Sequence, residues 1–212
     1  MSMSESADHV PPVSSEVTPA GPAGYPVSVS ADPQESFVRF LPLVKWLLLV
    51  PHYIALFFLA IGAAVVAFIA FFAVLFTGTY PRGMWNFMAG FYRWTLRVTA
   101  YMMLMTDRYP PFTLEETGED DVRLSAEYPE RVERWRPFVA WLLVIPYLIV
   151  ASLILMVAQI CSFLAFFTII FTKRIPDGIF DVMRVGLNWQ MRANFYAYWM
   201  STEYPPFSWD DE

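Results

Sequence analysis

Two stretches of the chain, 42–77 and 137–172, run for 36 residues each with few polar side chains. Lys45, His52 and Gln159 are their main interruptions. About 20 apolar residues suffice to cross a bilayer as a helix, so each stretch predicts a transmembrane helix with a turn or more to spare. Pro51 and Pro146 show where the excess goes. Proline removes a backbone donor and bends a helix, so a leading segment should turn there into the span. A Phe-Thr pair, then Pro81 and Gly83 or Pro176 and Gly178, ends each helix in a short turn.

The segments that follow, 84–105 and 179–200, are patterned differently. Asp181, Arg184, Asn188 and Arg192 step by three, four and four, and the matching positions earlier in the chain are Asn86, Ala89, Arg93 and Arg97. That spacing is one polar face of a helix. At 1.5 Å per residue each segment is about 33 Å long. Two placements fit. The helix lies flat at the interface with its stripe in water, or it spans with the stripe turned onto other helices, at roughly 2.5–3.5 kcal/mol per central Arg.

The two halves of the chain are copies. A shift of 95 residues aligns them without a gap, and about 30 of 87 paired positions are identical. Arg39 falls on Arg134, Trp46 on Trp141, Pro51 on Pro146, Trp94 on Trp189, Arg97 on Arg192 and Tyr101 on Tyr196. Tyr109-Pro110-Pro111-Phe112 falls on Tyr204-Pro205-Pro206-Phe207. Each copy opens on a β-like stretch, 27–31 or 122–126, and closes on 113–114 or 208–209, all too short to stand alone. They suit a small cap outside the bilayer. The expected fold is an all-α integral membrane protein built from a tandem unit. Each unit has one long Pro-kinked transmembrane helix and one aromatic-rich helix, amphipathic or transmembrane. A polar, disordered tail covers 1–24, the repeats cover 25–116 and 122–212, and an acidic linker covers 117–121.

Copies this similar most simply share one orientation, which requires an even number of spans per unit. With two spans each, the side holding the N-terminus and central loop carries Arg39, Lys45, Arg108, Arg123, Arg131, Arg134 and Arg136. The opposite turns carry Arg82, Lys173 and Arg174. Seven against three places the termini and loop in the cytoplasm. One span per unit would invert the copies and remove most of that bias.

Composition agrees with a membrane setting: 57% hydrophobic, 18% aromatic and 16% charged residues, against about 25% charged in soluble domains. A net charge of −6 argues against nucleic acid as a partner. Cys161 is the sole cysteine, which excludes an intramolecular disulfide and a paired-cysteine metal motif. His9 and His52 are the only histidines, and no cofactor or metal is expected. Nucleotide loops, nucleophile triads and paired intramembrane carboxylates are missing from the sequence, so no catalytic residue is assigned.

The run Phe76-Thr77-Gly78-Thr79-Tyr80-Pro81-Arg82-Gly83, then Arg93-Trp94, Arg97-Val98-Thr99-Ala100-Tyr101 and Leu104-Met105-Thr106-Asp107-Arg108 leading into Tyr-Pro-Pro-Phe, resembles a bacterial membrane family. That family is the domain of unknown function numbered 4389. The second copy departs from it at Lys173-Arg174-Ile175 and Thr202-Glu203. The resemblance implies a bacterial inner-membrane location and no chemistry. The residues singled out are Arg97 and Arg192, Trp94 and Trp189, and Tyr101 and Tyr196, kept in both copies, together with Arg93, which the second copy replaces with Asn188. Arg stacked on aromatic rings either locks helices together or offers a cationic site for a lipid phosphate or another anion. The expected function is a non-catalytic accessory or scaffold protein that binds the lipid bilayer, other membrane proteins or copies of itself. The alternative is a small transporter, channel or lipid-handling protein with an anion site between the repeats.

Overall fold

The computed structural model describes residues 24–208. The tail expected over 1–24 falls almost wholly outside them, as do His9 and the C-terminal Trp209-Asp210-Asp211-Glu212. The described chain is mostly helical, in the order β1 (Val27–Ala31), α1 (Lys45–Leu48), α2 (Val50–Thr77), α3 (Arg82–Met102), β2 (Val122–Ala126), α4 (Arg136–Leu143), α5 (Ile145–Thr172) and α6 (Asp177–Ala197).

The proline breaks fall where expected. One residue, Leu49, separates α1 from α2, and Pro51 occupies the first turn of α2, where a missing N–H costs nothing. Val144 and Pro146 repeat the arrangement between α4 and α5. Both long helices stop at a left-handed residue whose N–H reaches back four residues. Gly78 (φ 72°) bonds to Val74 and Lys173 (φ 61°) to Ile169. The first copy uses the residue suited to that conformation, and the second has lost it.

The two β-like openings are strands, and they pair with each other. β1 and β2 form an antiparallel ladder in which Val27 faces Ala126, Val29 faces Leu124 and Ala31 faces Val122. The central pair, Val29 and Leu124, are equivalent positions 95 residues apart, so a pseudo-two-fold axis passes through the sheet at that pair. The closing stretch at 113–114 is irregular, not a strand. Alternation puts Val27, Val29, Val122 and Leu124 on one buried face.

The strands are exchanged between units. β1 packs on α6 of the second repeat and β2 on α3 of the first. A second exchange repeats the symmetry: the Phe37 N–H donates to the Lys173 carbonyl, and the equivalent Val132 N–H donates to Gly78, both at 2.9 Å. The two repeats therefore fold as one body.

Both long helices are long and apolar enough to cross a membrane. In their most apolar 18-residue windows only 11% (α2) and 22% (α5) of residues are buried, unlike the core helix of a soluble protein. The two hairpins differ in tightness. Ala151, Ala158 and Ala165 line α5 at heptad spacing and are fully buried, and a Cβ on Gly186 would stand 2.7 Å from that of Ala158. The α5–α6 pair thus closes through small residues. The first copy has Leu56 and Phe91 where the second has Ala151 and Gly186, and α2 meets α3 far less extensively.

Candidate functional site

The later members of the polar stripes of α3 and α6 turn inward and grip the chain that passes over them, while Asn86 and Asp181 at their starts are exposed. Arg97 is 6% exposed. Its Nη1 donates to the Asp120 carboxylate at 3.1 Å and the Glu115 carbonyl at 3.3 Å, and Nη2 donates to the Thr113 carbonyl. One turn earlier Arg93 pairs with Glu116 at 3.0 Å. Gly90 lets the same loop approach, because a Cβ there would meet that of Leu114 at 2.8 Å. Two arginines, each in a salt bridge, and one missing side chain thus hold the central linker against α3.

Arg192, fully buried, grips the chain at the start of β1. Its Nε donates to the Val27 carbonyl at 3.1 Å and its guanidinium lies 5.1 Å from the Tyr25 ring centre. One turn away the Asn188 Oδ1 accepts from the Val29 N–H at 3.0 Å. Tyr25 and Asp120 are equivalent positions, 95 residues apart. Both arginines therefore close on the same place in the unit, with a carboxylate in one copy and a ring in the other. Burial pushes the Tyr25 hydroxyl up to about 12.

The aromatic residues staple Tyr-Pro-Pro-Phe onto the start of each long helix. Trp94 donates its indole N–H to Nδ1 of His52 at 3.0 Å, and the His52 ring stacks on Phe112 at 3.9 Å. In the second copy Tyr147 takes the place of His52. It stacks on Trp189 at 4.8 Å and meets Phe207 at 5.2 Å. Tyr101 and Tyr196 meet the motif tyrosines, Tyr109 and Tyr204, edge-on. Each also carries a cation over its ring, Lys45 at 4.6 Å and Arg136 at 5.4 Å. Lys45 is anchored by the Asp107 carboxylate at 2.8 Å and the Thr106 carbonyl at 2.7 Å, and Arg136 by Glu133 at 2.7 Å. Burial lowers the Lys45 pKa, and Asp107 opposes that shift. The bond from Arg136 lowers the Glu133 carboxyl pKa.

A cleft of about 520 Å³ opens between the end of the first repeat and α5. Trp46, Met102, Leu155 and Phe163 supply apolar walls, and Lys45, Thr99, Gln159 and Ser162 supply polar groups. No cluster of His, Cys, Asp and Glu suited to a metal ion is present among the described residues.

The family described as Domain of unknown function (DUF4389) matches the chain twice, over residues 42–113 and 134–208. These segments make up more than half of the sequence. The chain belongs to the DUF4389 family. Neither the curated proteins nor the solved structures contain a match to it.

Each DUF4389 segment begins at the proline-broken lead into a long helix and ends just past Tyr-Pro-Pro-Phe. All seven arginines, tryptophans and tyrosines singled out in the sequence lie inside the segments, in two equivalent clusters, and all are engaged with this chain. β1 and β2 lie outside both segments. The cleft was missed in the sequence. Its signal was the pair of polar residues, Lys45 and Gln159, that interrupt otherwise apolar runs.

Proposed function

We propose that the chain is a non-catalytic, membrane-embedded accessory protein that binds partner membrane proteins or organises lipid around them. Its setting is the inner membrane of a bacterium, with the sheet and central linker on the cytoplasmic side. The observation that carries this reading is the outer surface of α2 and α5. Every exposed position of α2 between Ile54 and Phe76 is apolar, and α5 exposes only Ser152 and Gln159 as polar side chains before Thr172. A contiguous apolar surface of this extent marks a membrane or protein contact. The conspicuous cations support it too, since Arg97, Arg192 and Lys45 are turned inward as clamps. The test is crosslinking in intact membranes followed by purification in mild detergent. A defined partner recovered in stoichiometric amount supports the scaffold, and a protein crosslinked to nothing but lipid sinks the partner half of it.

The cleft favours a second reading, a lipid-handling or transport protein. Its apolar walls suit an acyl chain, and Lys45 lines it beside the repeat boundary. Leu155→Trp would fill it. Native mass spectrometry should then show loss of a lipid retained by the parent protein. Equal retention in both would remove this reading.

A further inference from the structure

We propose that α2 and α5 lie in the plane of a single membrane leaflet, and that no described segment of the chain crosses the bilayer. The inference rests on the membrane reading above and concerns which lipid surface the protein takes.

The two ends of α2 are each held by a distant part of the chain. At its start, His52 stacks on Phe112. At its end, the Gly78 carbonyl accepts from the Val132 N–H. A helix of 28 residues is about 42 Å long, so residues 112 and 132 stand nearly that far apart. The chain between them runs beside the helix from one end to the other. Residues 112–121 stay on the half of α3 nearer the start of α2, held by Arg97 to Asp120, Arg108 to Glu119 and Thr106 to Asp121. Residues 122–132 cover the rest, with the Tyr128 hydroxyl donating to the Tyr80 carbonyl. The second repeat has the same plan, with the chain from Tyr25 on Arg192 to Phe37 on Lys173.

If α2 crossed a bilayer, this passing chain would cross with it. Between residues 121 and 132 it exposes Arg123, Glu127, Glu130 and Arg131. It also contains β2, one of only two strands in the ladder. Half the backbone groups of a two-stranded ladder point outward, and hydrocarbon offers them no partners. Charges at membrane depth carry a further penalty.

Laid flat, the molecule has one wet and one greasy side. The buried stripe of α2, Ala63, Ala70 and Val74, belongs to the same core as the sheet residues Val27, Val29, Val122 and Leu124. The exposed apolar arc of α2 therefore points away from the sheet. The sheet turns its other face, with Arg123 and Ser125, to water. A helix is about 10 Å across, which matches the depth to which interfacial helices sink. The corners of the apolar surface carry exposed cations, Arg131 and Arg134 beside Gly78 and Arg39 with Arg174 beside Lys173, where they reach anionic headgroups.

Single cysteines in a Cys161→Ser background test this in the full chain. The sites are Glu119→Cys and Thr79→Cys near the two ends of α2, and Glu203→Cys and Arg174→Cys near those of α5. All are exposed. A membrane-impermeant maleimide, applied to intact cells and to inverted vesicles, should reach all four from one side only. Thr79 and Glu119 labelled from opposite sides would overturn the proposal and restore a crossing helix. Carbonate extraction separates this from the underlying reading, because a protein released without detergent is not membrane-embedded at all. A second readout uses nitroxides at Ile54, Phe68 and Phe76 in vesicles of phosphatidylcholine and phosphatidylglycerol. Equal depths along the helix support the leaflet placement, and a Phe68 deeper than both ends defeats it.

Discussion

Gly186 and Ala158 touch at the point where α6 crosses α5, and the space between them has no room for a methyl group. A Cβ on Gly186 would lie 2.7 Å from that of Ala158 and 3.5 Å from the Leu155 Cα. Gly186→Ala should therefore destabilise the protein by about 1–3 kcal/mol through overpacking. A thermal melt in detergent, followed by tryptophan fluorescence, measures it. An unchanged melting temperature would show that the hairpin opens without cost. Phe91, the residue at the same position in the first copy, predicts that Gly186→Phe splays α6 from α5.

Arg97 and Asp120 form a buried pair on which the linker depends. Removing one partner of such a pair is destabilising, because the other charge must either stay buried alone or leave its place for water. Arg97→Ala should free the linker and open a protease site between Glu115 and Glu119. Arg97→Lys should rescue this only in part, since an ammonium cannot match the fork that reaches Thr113, Glu115 and Asp120 together. Limited proteolysis of the three proteins, with the site found by mass spectrometry, decides the point.

Tyr25 gives the stability a pH dependence at the alkaline end. Its hydroxyl ionises near 10 when unfolded and at about 12 in the fold, where burial is the main cause. The unfolded chain loses this proton first. The contribution of the neutral hydroxyl is thus full below pH 10 and is lost as pH rises from there to about 12. Tyr25→Phe should flatten that part of the curve. Equal slopes in both proteins would place the alkaline sensitivity elsewhere.

Neither repeat should fold by itself. β1 lies on α6 and β2 on α3, and Phe37 and Val132 each bond to the end of the other repeat's long helix. Residues 1–116 or 117–212 expressed separately should be degraded or aggregate. The two fragments produced together should assemble and co-purify. A stable, monodisperse single repeat would show that the exchange is dispensable.

Much of this was legible from residue pattern. The duplication, the apolar runs, the breaks at Pro51 and Pro146, and the strands at 27–31 and 122–126 all rest on near neighbours. The inward stripe was legible as a stripe, from Arg93 and Arg97 or Asn188 and Arg192 at helical spacing. Its partners were not. Nothing local says that Arg192 would meet Val27, 165 residues away, or that Asn188 would meet Val29, 159 residues away.

The sequence alone determined that this protein is two copies of one unit, which helices it forms and where they break. Those outcomes follow from periodicity, proline and glycine, which act within a turn or two. Only the tertiary structure decided that the copies exchange strands about an axis at Val29 and Leu124, and that one hairpin is tight and the other loose. It also decided that a charged segment runs the full length of an apolar helix. The physical reason is that these arrangements depend on surfaces far apart in the chain, and each surface is compatible with several partners until all of them close together.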